Sequence, residues 1–265
     1  MKWEAERWCR LPRVTLDFEG RVALITGGGT GMGRGIATAL AQRGSHIAIG
    51  YAHSRADAES TVAELQALGV RASAHQADVA RVDDCDALVK SALEAHGRLD
   101  VVVNGAGTTR HVPFADLEAI TEEAWDDIFD VNLKGSFFVS RAAGLWMREH
   151  GDGRGVIVNI SSVSAFLARG SSIPYSVSKS AVVHLTKCLA TALAPRVRVN
   201  TIAPGFVLTR WWTQFGQEAV DRQIEGMVFK RSIALEDVVD AAMLLIGNES
   251  VSGQTVTVEL VNVMH

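Results

Sequence analysis

Seven short apolar runs, each followed by a longer amphipathic stretch, set the strongest limit on what this chain can become. The runs are "RVALIT" (21–26), "HIAIGY" (46–51), "RASAHQ" (71–76), "LDVVVN" (99–104), "GVIVNI" (155–160), "RVRVNTI" (196–202) and "TVTVEL" (255–260). Several place apolar side chains at consecutive positions, so both faces of the strand need cover. A parallel sheet with helices on each side provides that cover, and the intervening stretches are long enough for right-handed crossovers. The expectation is an α/β fold, with one doubly wound domain over residues 18–265 built on a seven-stranded parallel sheet. Residues 1–17 carry charges throughout and form an arm that is either disordered or covers a partner subunit through Trp3 and Trp8.

Composition narrows the class of function. A hydrophobic fraction of 48% suits a globular core, and a net charge of -4 with scattered Lys and Arg gives no footprint for nucleic acid or an anionic membrane. No run approaches the ~18 apolar residues of a membrane span, and the first 17 residues lack the apolar stretch of a signal peptide. Cys9, Cys85 and Cys188 are far apart and lack metal-ligand spacing, so neither a disulfide framework nor a metal site is expected. These features point to the cytoplasm.

The first strand runs into "TGGGTGMGRG", in which Gly27, Gly31 and Gly33 lead into a helix. Glycines permit a tight turn and close backbone approach, and the helix start offers free N–H groups to a pyrophosphate. With Thr30 and Met32, this turn is a candidate Rossmann-type dinucleotide site, although the spacing is GxxxGxG and not GxGxxG. At the end of the second strand, an acid that would hold the ribose hydroxyls of NAD is missing. The chain reads "GYAHSR", with Tyr51, His53, Ser54 and Arg55; these either accept the 2′-phosphate of NADP or form a polar loop and helix start. NADP(H) is favoured and NAD(H) possible.

"SSIPYSVSK" places Tyr175 and Lys179 on one helical face just after Pro174, which suits a helix start. A nearby ammonium is expected to lower the tyrosine's pKa and let it trade protons. Thirteen residues earlier, "NISSVSA" ends a strand, where parallel sheets place their ligand crevice; Ser162, with Ser161 as the alternative, would lie near Tyr175.

Taken together, "TGGGTGMG", "ADV" (Asp78, Val79), "NGAG" (Asn104, Ala106, Gly107), "DVNLKG" (Asn132), Ser162, "YSVSK" and "PGFVLT" (Pro204, Gly205, Val207, Thr209) resemble the short-chain dehydrogenases/reductases over roughly residues 18–258. The resemblance implies that Tyr175 exchanges the substrate proton and Ser162 binds the substrate oxygen. It further implies that Lys179 holds the nicotinamide ribose and that Asn132 supports a proton-relay water. Asp78 is implied at the adenine, where it is also compatible with a helix cap. Thr209 and the backbone after Pro204 and Gly205 are implied at the carboxamide. It also implies a homotetramer through helices near 121–147 and 174–194.

The chain departs from the family at Gly105, where an asparagine usually ties the central strands, and at Glu259–Leu260. The expected substrate is a neutral ketone, aldehyde or secondary alcohol. Its pocket would be formed by Thr108, Thr109, Val163, Ser164, Phe166, Ile173, Phe206, Trp211, Trp212 and Phe215, with the two tryptophans serving as a lid or as a subunit contact. The alternatives are a 3-oxoacyl-thioester reductase, a lyase or isomerase using the same tyrosine, and a dinucleotide-binding sensor or scaffold without turnover. His184 and Cys188 are expected to be packing residues.

Overall fold

The computed structural model describes residues 18–213 and 216–260. The arm at 1–17, with Trp3, Trp8 and Cys9, lies outside the described residues, as does Phe215. The strands are β1 (Val22–Thr26), β2 (His46–Tyr51), β3 (Ala72–Gln76), β4 (Val101–Asn104), β5 (Gly155–Ile160), β6 (Val197–Pro204) and β7 (Thr255–Val258). They form one sheet in the order β3-β2-β1-β4-β5-β6-β7, every pair parallel. All seven expected runs are strands, within one or two residues at most ends.

Alternation within each strand explains why those runs are apolar on both faces. Ala23 and Ile25 of β1 face one side, where Ile36 and Leu40 of helix α1 (Gly31–Ala41) and Val238, Ala242 and Ile246 of a late helix (Leu235–Gly247) pack. Val22 and Leu24 face the other, against Leu88 and Ala92 of one helix (Val82–His96) and Val139, Ala143 and Met147 of another (Ser136–His150). In chain order these helices are α1, α2 (Arg55–Ala67), α3 (Val82–His96), α4 (Glu122–Phe129), α5 (Ser136–His150), α6 (Ile173–Leu193), α7 (Arg210–Thr213), α8 (Gln217–Gly226) and α9 (Leu235–Gly247).

The chain winds outward in two directions from the β1/β4 boundary, and a crevice opens there at the carboxyl ends of the strands. Gly27 and Gly31 at its floor have positive φ (65° and 51°), and a Cβ on Gly33 would lie 2.4 Å from the Gly27 carbonyl. Only glycine fits such an approach. Gly105 belongs to the same contact: a Cβ there would lie 2.8 Å from the Thr26 carbonyl, and its N–H and that of Ala106 donate to Thr26 Oγ1, each at 3.1 Å. The tie between central strands comes instead from Asn104, whose buried amide donates to Asn159 Oδ1 and Ser140 Oγ, each at 2.8 Å.

Candidate active site

Helix α6 is started by Ser172, whose hydroxyl accepts from the Tyr175 N–H, and by Pro174 in its first turn. The four-residue spacing then brings Lys179 Nζ to 5.7 Å from the Tyr175 ring centre. Lys179 is 5% exposed, and its ammonium donates to the Ile160 carbonyl at the end of β5 (2.9 Å). Ser161 and Ser162 follow, and extended backbone sends neighbouring side chains to opposite sides. The Ser161 hydroxyl donates to the Lys179 carbonyl (2.8 Å), while the Ser162 hydroxyl is hydrogen-bonded to the Tyr175 phenol. Of the two serines, Ser162 therefore faces the tyrosine and Ser161 fastens the helix to the strand. The Ser164 N–H also donates to Ser162 Oγ (3.2 Å).

Asn132 lies in a π-helical turn, Asp130–Gly135, between α4 and α5. Its Oδ1 accepts from the Thr108 N–H (2.8 Å), and its Nδ2 donates to the Thr108 carbonyl (3.1 Å) and to Ser178 Oγ (3.0 Å). The Ser178 hydroxyl in turn donates to the Tyr175 carbonyl (2.7 Å). One side chain thus joins the loop after β4 to the tyrosine's helix. The spacing of "YSVSK" shows the Tyr–Lys pair but not this use of its serine, which only the position of Asn132 reveals.

Burial lowers the Lys179 pKa from 10.5 to about 8. Burial also raises that of Tyr175, against a smaller opposing effect of the Ser162 bond. The expected lowering by the lysine is corrected here: desolvation of the phenol outweighs the Ser162 bond, and the net direction is upward. His184 and Cys188 are a second correction, since both are exposed on the outer face of α6.

The cofactor candidates divide by place. Gly27, Thr30, Gly31, Met32 and Gly33 form the turn at the foot of α1, and Thr209 packs against it, 3.8 Å from where a Gly31 Cβ would stand. Tyr51 is buried at the end of β2 with the Arg55 guanidinium 5.9 Å above its ring centre, while His53, Ser54 and Arg55 are exposed. Asp78 Oδ1 accepts from the Ala80 N–H (3.0 Å) in a turn with Val79 buried beside it; the cap position of α3 belongs to Arg81, so Asp78 is not a helix cap. The Asn104 side chain is buried, and its amide donates to Ser140 and Asn159. Ala106 and Gly107 follow it, and a Cβ on Gly107 would lie 3.4 Å from Asn132 Oδ1 and 3.6 Å from Lys179 Nζ.

Pro204 ends β6. The Gly205 N–H bonds to the Val258 carbonyl (3.0 Å), Glu259 folds its carboxylate onto Gly205, and Val207 bridges to Ile233. Close-packed glycines with free helical N–H groups, and a lysine ammonium beside the loop after β4, fit the phosphates and ribose of a dinucleotide.

In the loop after β4, the Thr109 hydroxyl is hydrogen-bonded to that of Ser171 (2.5 Å), and the Val112 N–H donates to the Ser171 carbonyl (2.8 Å). Phe206 packs edge-on against Trp212 at 4.8 Å, and Phe166 is exposed. Val163, Ser164 and Ile173 are half-buried. Trp211 lies in α7 beside Trp212.

A family model described as short chain dehydrogenase matches residues 21–219. The chain belongs to the short-chain dehydrogenase family. A granaticin polyketide synthase protein of Streptomyces violaceoruber, named as a ketoacyl reductase, is 38% identical over 91% of this chain and 95% of its own length. A 3-oxoacyl-[acyl-carrier-protein] reductase of Staphylococcus aureus is 35% identical over 89% and 95%. Among solved structures, the NADPH-dependent 3-quinuclidinone reductase of Rhodotorula rubra superposes with a TM-score of 0.83 at 28% identity, covering 93% of this chain and 92% of that one. As a short-chain dehydrogenase the protein is an oxidoreductase of an NAD(P)-binding family.

The buried lysine makes the dehydrogenase's stability depend on pH. The unfolded chain holds the Lys179 proton up to 10.5 and the folded one only to about 8, so this site adds stability as pH rises between those values. Between pH 8 and 10 the unmodified protein should gain on the order of 2 kcal/mol relative to Lys179→Met, measured by urea denaturation. A difference that does not change with pH would contradict the assignment.

Proposed function

We propose that residues 18–265 form a single catalytic domain that reduces a neutral, largely apolar ketone or aldehyde with NADP(H), or oxidises the matching secondary alcohol. The observation that carries this reading is the Ser162–Tyr175 hydroxyl pair with the Lys179 ammonium buried behind it. When bound, the nicotinamide supplies or takes up the hydride. As negative charge builds on the carbonyl oxygen, Ser162 donates a hydrogen bond to it and the protonated Tyr175 gives up its proton. Lys179, with a pKa of about 8, stabilises the resulting phenolate, and Asn132 holds the loop and helix that frame the proton's path.

For the cofactor, the uncharged Tyr51 and the cationic Arg55 at the end of β2 favour the 2′-phosphate of NADP(H). The two relatives named for ketoacyl reduction favour a second reading, a 3-oxoacyl-thioester reductase. We further propose a cytoplasmic protein; no helix among the described residues is long and apolar enough to cross a membrane. Trp125, Phe137 and Leu145 on α4 and α5 and Val177 on α6 are exposed, which supports a homotetramer through those helices.

Tyr175→Phe is expected to lower kcat by at least ~10²-fold while leaving dinucleotide affinity within about threefold. Near-normal turnover in a ketone panel followed by NADPH oxidation would reject the role. Unmodified protein should show a higher kcat/KM with NADPH than with NADH, and Tyr51→Asp should reverse that order by placing a negative charge beside the phosphate. A preference for NADH in the unmodified protein would overturn the cofactor reading.

A further inference from the structure

The segment that follows β6 and the helix that follows β2 belong to opposite banks of the crevice, with β1, β4 and β5 between their strands. An ion pair joins them. Arg210, next to Thr209 and at the start of α7, reaches Asp57 on α2 through two hydrogen bonds: Nη1 to Oδ1 at 3.1 Å and Nη2 to Oδ2 at 2.8 Å. The fork geometry fixes direction as well as charge, which a single contact would not.

The pair closes over the outside of the glycine turn. An open cavity of ≈ 210 Å³ is lined by Gly29, Thr30 and Gly31, by Arg34 of α1, and by Asp57 and Arg210 themselves. On the α2 side its anchor is firm. The Thr61 hydroxyl donates to the Gly29 carbonyl (3.1 Å), and a Cβ on Gly29 would lie 3.0 Å from the Ala58 nitrogen, so α2 is seated directly on the turn. On the other side, Thr209 rests on Gly31. Arg34 acts on Asp57 only through space, its guanidinium being paired with Glu64 (2.6 Å), while the hydrogen bonds to Asp57 come from Arg210.

We propose that Arg210 and Asp57 are a positioning pair that straps the segment after β6 to α2 across the phosphate turn and so slows release of the bound dinucleotide. The inference rests on the dinucleotide-binding reading above. An exposed ion pair adds little to global stability. Its proposed effect is on escape: a dinucleotide lying along the β1/β4 crevice would leave as the two banks part, and the pair would break for that to happen.

The test is the dissociation rate of NADPH from the full chain, followed by stopped-flow nicotinamide fluorescence, with NADH measured alongside. Arg210→Ala and Asp57→Ala should each release NADPH about 3- to 10-fold faster, and the exchanged double variant Asp57→Arg with Arg210→Asp should return to within about twofold of the unmodified rate. Added salt should quicken release from the unmodified protein and from the exchanged variant more than from either single variant. Rescue by exchange shows that the two residues act through each other, and the release rate is the readout that a merely structural pair would not move. Single variants that bind NADPH and release it at the unmodified rate, or an exchanged variant no slower than the singles, would overturn the strap alone. Failure of the unmodified protein to bind either dinucleotide would overturn the reading beneath it, and the strap with it.

Discussion

Two hydrogen bonds running in opposite senses between the end of β5 and the start of α6 hold the candidate site together. The Lys179 ammonium donates to the Ile160 carbonyl, and the Ser161 hydroxyl donates to the Lys179 carbonyl. Both lie in buried surroundings, where a lost partner is costly, so the helix has one angular setting against the strand. That setting brings the Tyr175 phenol to Ser162. The ammonium carries a stability penalty that a purely structural residue would not, and its burial lowers its pKa into the range where proton exchange at neutral pH is easy.

A second polar network fixes the strands on which this depends. Asn104, Asn159 and Thr201 sit at one level of the sheet, paired strand to strand across β4, β5 and β6. Asn104 donates to Asn159, Asn159 donates to Thr186 of α6 (2.9 Å), and the Thr186 and Thr201 hydroxyls are hydrogen-bonded to each other. These groups are all buried, so the network specifies the register of α6 on the sheet in a way that apolar packing alone does not. Gly105 fits the same scheme: with Asn104 serving as the tie, the next position is free to let the loop after β4 lie against the glycine turn.

The sheet was legible because each strand is covered on both faces and so writes an uninterrupted apolar run, and the glycine turn because its close approaches exclude any side chain. The π-helical turn at Asp130–Gly135 was not legible, since a one-residue shift in backbone hydrogen bonding leaves little trace in the apolar spacing around it. Helical spacing brought Tyr175 and Lys179 together on paper, but the direction of the tyrosine's pKa depends on how far each is desolvated, which spacing does not carry. His184 and Cys188 looked like packing residues because α6 is apolar on many faces; the single chain leaves them outside. The Arg210–Asp57 contact joins residues 153 positions apart, and no local pattern announces it.

The account's central claim is that the Ser162–Tyr175–Lys179 arrangement receives a carbonyl against a nicotinamide and directs a hydride to its carbon. The most direct measurement supplies a prochiral ketone with NADPH carrying deuterium at C4, in separate experiments with the pro-R and the pro-S label, and locates the deuterium in the product by mass spectrometry and NMR. The account predicts one deuterium on the carbinol carbon, from one of the two labels only, in a single enantiomer of the alcohol. Alcohol formed with no deuterium on that carbon from either label would contradict it.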